Sequence, residues 1–261
     1  LADSSLKLEA QITNVKEIKG DLKKISNEFN SIEIKEVSKI VSPISTEIKP
    51  ISSDSTHFGY TFPALLVIVL LFSGLLVSST TIMEEKESKA FFRNFITPTP
   101  NILFVVGNYL SNLLVVLSQV VVIFIVLYIL SKTFVSQSIF VNLILIIILT
   151  ASVFILLGML IGYLFRSGET ANLAVISLAC ILLFFSNTIL PLETLPTTIR
   201  SIANYNPFIV GVDALKEILL FDAPLASIAT QFYTLLIYII ILAGLIIGVR
   251  AFSKRRYIEQ I

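Results

Sequence analysis

Five long apolar segments constrain this chain more than any other feature. They fall at about residues 60–83, 101–130, 139–165, 171–190 and 227–252, each of 20 residues or more. At about 1.5 Å rise per residue, each reaches across a hydrocarbon layer of roughly 30 Å. One soluble core could not hide so much apolar length. Inside a bilayer every backbone amide needs a partner in its own segment, so all five segments are expected to be helices. The expected fold class is therefore all-α: a polytopic membrane protein with five transmembrane helices in this chain.

The polar residues support a division in two. Only 14% of side chains are charged, against about 25% in a typical soluble domain. Residues 1–59 hold 17 of the 37 charged side chains. We place an extracytoplasmic helical segment and linker at 1–58 and a membrane domain at 59–261. Within the first, Leu8, Val15, Leu22 and Phe29 recur every seven residues, with Ile18, Ile25 and Ile32 three further on. That is an a/d seam, the mark of an amphipathic or coiled-coil helix. It fits either one helix packing on its own protein or a coil with another chain. Pro43, Pro50 and the Ser/Thr-rich residues 51–56 end the pattern, and His57 reads as a solvated linker residue.

Lysine and arginine set the expected orientation. Lys86, Lys89, Arg93, Arg166, Arg250, Lys254, Arg255 and Arg256 collect on one side, against Lys132, Arg200 and Lys216 on the other. The richer side is expected to be cytoplasmic, with the N-terminal segment outside, the C-terminus inside, and the whole in the plasma membrane. Residues 1–30 hold no signal-peptide pattern and the chain starts at Leu1. A further upstream span, six in all, is the simplest expectation for an exported N-terminal segment.

Several chemistries are disfavoured. The spans carry almost no ionisable side chain, which speaks against an ion-coupled secondary carrier. No GxxxxGK[ST] phosphate loop occurs, so no ATP site of that type is expected. One histidine and one cysteine, His57 and Cys180, cannot build a zinc site, and Cys180 says nothing of redox compartment. No nucleophile–base pair stands out, and no cofactor or metal is expected on this chain. The net charge of +1 argues against a nucleic-acid partner.

Two loops and two glycine pairs stand out. Residues 84–97 read as a new amphipathic helix along the inner surface. Glu84, Glu85, Lys86 and Glu87 open it, Phe91, Phe92, Phe95 and Ile96 share a face, and Thr97-Pro98 ends it. It is either an interfacial anchor or a docking element for a cytoplasmic partner. Residues 191–226 form an outer region. Pro191 ends a span, Pro196 can open a short helix, and Asn206-Pro207 starts another with Pro207 at N1. That helix, through Phe221, is too short to span and fits a re-entrant or interfacial position. Asp213, Lys216 and Glu217 lie opposite its apolar stripe of Phe208, Ile209, Val212, Leu215, Ile218 and Leu219. Gly158/Gly162 and Gly244/Gly248 are small-xxx-small pairs, suited to packing within the chain or to a dimer face.

Taken in order, these pieces resemble the membrane subunit of type-2 ATP-binding-cassette exporters. Glu85-Lys86-Glu87, running to Thr97-Pro98 and then a span, resembles that family's loop between its second and third helices. Lys89 and Ala90 stand where the family often has Gly-Thr. Residues 191–196, then Asn206-Pro207 and 212–216, are similar to its signature before the last helix, with Asp213 and Lys216 where Glu and Arg are common. The resemblance covers about residues 60–256, and residues 1–58 look like a segment some branches insert between helices one and two. It implies a permease that pairs with a second copy or a paralogue, contacts membrane lipid, and works with separate ATPase subunits. ATP and Mg²⁺ would be bound by those partners. It also implies that residues 84–97 couple to the ATPase and that the outer region closes the exit. A pathway without charge suits amphipathic or lipid-like substrates. The competing reading is a membrane-anchored interaction protein working through its heptad helix.

Overall fold

The computed structural model describes residues 15–27, 57–88, 101–131, 137–186, 196, 200–201 and 203–258. The chain divides into two units, Leu1–Ile51 and Ser52–Ile261. In the first, residues 15–27 form helix α1. Its seam of Val15, Ile18, Leu22 and Ile25 is 53–64% exposed, an apolar stripe with nothing laid over it among the described residues. Leu8, Phe29 and Ile32 lie outside the described residues.

The second unit is built, among its described residues, of helices joined by turns: α2 His57–Glu87, α3 Asn101–Ser131, α4 Gln137–Leu164, α5 Gly168–Phe184, α6 Pro207–Phe221 and α7 Ala229–Ile258. Four of these, α2, α3, α4 and α7, are long and apolar enough to cross a membrane. The fifth expected span is a shorter apolar helix. It starts at Gly168, behind an N-cap by Ser167, and stops at Phe184 with its cap at Phe185. Its 17 residues give about 25 Å at 1.5 Å each. The hydropathy run from 171 to 190 hid that stop, because Ile189 and Leu190 follow the polar Ser186-Asn187-Thr188 and keep the run apolar overall. His57 also departs from expectation: it opens α2 and is not part of a linker.

Helix α4 is the axis of the unit. In its most apolar window 72% is buried, against 17% in both α3 and α7. Its tightest partner is α2, and the contact follows a four-residue ladder. A side chain at Gly74 would meet Phe154, one at Gly158 would meet Ser78 and Leu75, and one at Gly162 would meet Ile82 and Ser79. The constant offset means that α2 and α4 run parallel and in register. Lipid tails are as apolar as leucine, so close van der Waals contact holds such helices together, and small residues permit it. Ser78 Oγ is satisfied within its own helix by donating to Gly74 O at 2.5 Å, which lets the hydroxyl sit against Gly158 at no polar cost. Around the Gly244/Gly248 pair, nothing among the described residues lies within 4 Å of where a side chain would start.

Candidate functional site: the charged end of the bundle and the outer turn

The charged string after the first apolar run does not open a new helix. Glu84, Glu85, Lys86 and Glu87 are the last turn of α2, which continues to Glu87. No glycine or proline interrupts Thr81–Glu87, and methionine, glutamate and lysine all propagate a helix well. Acidic side chains at a helix C-terminus cost a few tenths of a kcal/mol, and the neighbours compensate. Phe91, Phe92, Thr97 and Pro98 lie outside the described residues.

Helical spacing divides the string. Glu84 and Glu87, three apart, are exposed, whereas Glu85 and Lys86 turn into the bundle. Asn108 Nδ2 of α3 donates to Glu85 Oε2 at 2.5 Å, and Arg250 Nη2 of α7 lies 3.7 Å from Glu85 Oε1. Arg250 Nη1 donates to the Tyr163 hydroxyl of α4 at 3.0 Å. The guanidinium also stacks over Phe104 at 5.3 Å and Tyr163 at 5.7 Å from the ring centroids. Lys86 Nζ donates to Gly162 O at 2.7 Å, Tyr163 O at 3.0 Å and Phe165 O at 2.8 Å. It thereby caps the free carbonyls at the end of α4, where a cation suits the helix dipole. Glu87 reaches toward the start of α5, its Oε1 3.9 Å from where a Gly168 Cβ would stand. The ends of α2 and α4, the starts of α3 and α5, and Arg250 of α7 therefore meet at one pole.

This corrects the expectation of spans almost free of charge. Arg250 sits at 6% exposure in a helix that is otherwise apolar up to it. An arginine in such a segment is costly unless paired, and its partners come from three other helices. Sequence reasoning missed Asn108, Tyr163 and Phe104, and read Arg250 only as an orientation signal. The available signal was its place inside the apolar run 227–252.

A polar column continues inward. Thr81 Oγ1 donates to Asn112 Oδ1 at 2.9 Å, and the Tyr109 hydroxyl pairs with Ser152 Oγ at 2.7 Å. Asn112 stands four residues after Asn108, one helical turn deeper on the same face.

At the opposite pole the outer region is organised by Asn206. Its Oδ1 accepts from Phe208 N at 2.9 Å and caps α6, with Pro207 in the first turn. Its Nδ2 donates to Leu182 O at 2.7 Å and Phe185 O at 3.2 Å, at the end of α5. Pro196 O accepts from Arg200 N at 3.0 Å, a helical turn, and Pro191 lies outside the described residues. Helix α6 is more than a one-sided cover. Phe208–Val212, Ala214, Leu215 and Ile218 are all buried. A side chain at Gly211 would meet Thr150 Cγ2 at 2.7 Å, and Thr150 stands at the middle of α4. The Tyr238 hydroxyl, nine residues into α7, donates to Tyr205 O, and Gln231 Nε2 donates to Glu217 Oε1 at 2.9 Å. So α6 starts beside the middle of α4 and runs toward the start of α7. It ends at Asp222, left-handed at φ 50°, a conformation aspartate tolerates. Asp213 faces outward. Partial burial raises its carboxyl above the usual range, while Lys216 pulls it down and Glu217 pushes it up.

The fold defines an all-helical, polytopic membrane domain with a charged pole. The chain belongs to the ABC-2 family transporter proteins, whose family model matches residues 2–248. It is accordingly the membrane (permease) subunit of an ABC transporter. The match takes in the N-terminal segment as well as the membrane domain. No curated protein matches the chain.

Proposed function

We propose that this chain forms the substrate pathway of an ATP-driven exporter, as a dimer with a second copy or a paralogue. Separate ATPase subunits, which bind ATP and Mg²⁺, work beneath it. The observation that carries the reading is the pole at which five helices meet. There Glu84 and Glu87 are exposed at the end of α2, beside exposed Arg166 and Glu169 at the α4–α5 turn. Such a surface gives an ATPase purchase on α2, α4 and α5 at once. For nucleotide to bias inward- against outward-facing states, the ATPase must bind two arrangements of this pole with different free energy. That pole is cytoplasmic in this reading, with α6 and Asn206-Pro207 at the exit side, the N-terminal segment outside, the C-terminus inside, and the plasma membrane as location. The basic side chains favour that sidedness.

The test is co-purification of the full-length protein from its native cells in mild detergent. Recovery of a P-loop ATPase supports the reading. One observation favours a second role, for the N-terminal unit alone: the exposed stripe of Val15, Ile18, Leu22 and Ile25 suits a partner helix. Soluble partners lost on Leu22→Glu, with no ATPase recovered, would favour an interaction protein instead.

A further inference from the structure

We propose that Arg250 is a positioning residue that carries movement of the end of α2, received by Glu85, into the last span α7. This rests on the exporter reading above.

Three observations converge on it. First, both oxygens of Glu85 are committed inside the bundle, one to Arg250 and one to Asn108. The string therefore holds, besides Lys86, a carboxylate that faces the other helices and not a partner. Second, Arg250 is the point where four helices meet: its own α7, α2 through Glu85, α3 through Phe104 and α4 through Tyr163. Third, α7 is lightly packed along its length: only 17% of its apolar window is buried, and in the turn before Arg250 Ile246 alone is fully buried while Ile247 and Gly248 are exposed.

Stability alone does not call for this arrangement. Well-packed apolar side chains commonly replace a buried ion pair at no cost or with a gain. What the pair supplies is direction. A guanidinium bound to a carboxylate, a phenol and two rings holds one geometry and loses it when α2 turns. Glu85 lies two residues before the end of α2 at Glu87, so a force applied at that end reaches Arg250 through Glu85 directly.

The test uses the full-length chain in complex with its ATPase, in lipid nanodiscs. The background is Cys180→Ser, with a nitroxide at Ile247→Cys on the exposed face of α7. Spectra are taken before and after ATP with vanadate. The proposal predicts a nucleotide-dependent change in the otherwise native chain. Arg250→Met should shrink it roughly fivefold or more, the scale of losing one coupled pair, with ATPase co-purification intact. The swap Glu85→Arg/Arg250→Glu should recover most of it. If Arg250→Met aggregates, Arg250→Lys, which keeps the charge without the planar fork, decides by the same criterion. A native-sized response in these variants overturns the proposal, as does a probe that never responds. Loss of the ATPase with Arg250→Met also overturns it and assigns the residue to docking or folding. Absence of an ATPase from the unaltered complex overturns the exporter reading itself, and this inference with it.

Discussion

Arg250 Nη2 stands 3.7 Å from Glu85 Oε1, joining the inner end of α7 to the last turn of α2. The pair changes what the acidic-basic string can do. Glu85 and Lys86 hold the bundle together, while Glu84 and Glu87 face out. An experiment that reverses Glu85 therefore disturbs helix packing as well as any docking surface. Reversal of Glu84 and Glu87 isolates docking.

The α2–α4 ladder predicts a sharp contrast between two glycine pairs. Gly158→Ala places a methyl against Ser78 and the Leu75 backbone and should cost about 1–3 kcal/mol, the usual range for overpacking. Gly244→Ala meets nothing within 4 Å and should be neutral or stabilising by up to about 1 kcal/mol through helix propensity. Thermal unfolding of the two variants in one detergent reads both. Equal melting temperatures would contradict the parallel register of α2 and α4. A large loss confined to the dimer fraction of Gly244→Ala would place that pair against a second copy.

Asn206 makes a separable prediction at the outer pole. Asn206→Ala removes the cap of α6 and both bonds to the end of α5. The expected cost is about 2 kcal/mol. Asn206→Asp keeps the acceptor that caps α6 but loses the donors. If the tie to α5 matters, Asn206→Asp should expose the outer region to protease almost as much as Asn206→Ala. A protease pattern like that of the unaltered chain would show that the cap alone suffices.

Asp213 predicts a pH dependence. Partial burial is the main cause of its raised carboxyl pKa. Its favourable contribution is then fully present below the ordinary value of 3.8 and is lost as pH rises through the raised folded value. Asp213→Asn removes that loss. The melting temperature of Asp213→Asn should exceed that of the unaltered chain at pH 7.5, and the gap should close toward pH 4. A gap that is constant with pH, or that widens in acid, contradicts the assignment.

The spans were legible because a bilayer leaves few options for an apolar run of 20 residues or more. The a/d seam over Val15–Ile25 and the Asn206-Pro207 start of α6 were legible for local reasons, a seven-residue repeat and an N-cap beside a proline. The end of α5 at Phe184 was not, because Ile189 and Leu190 beyond Ser186-Asn187-Thr188 extended the apolar run past it. Nor was the role of Glu85. Local sequence placed it in a solvent-facing turn, whereas its partners, Asn108 and Arg250, come from helices far along the chain. Tyr163 and Phe104 carry no pattern of their own, and only the meeting of α3, α4 and α7 gives them a function. Gly158 and Gly244 look alike in sequence, and what faces each separates them.

The most direct test of the central claim, a permease driven by a separate ATPase, is a quantitative pull-down of the full-length chain from its native cells. It compares the unaltered protein with Glu84→Lys/Glu87→Lys. The account predicts a co-purifying P-loop ATPase with the unaltered chain. It also predicts roughly tenfold less with the double reversal, the scale of disrupting a charged docking surface, at unchanged membrane insertion. Absence of any ATPase from the unaltered preparation would contradict the account.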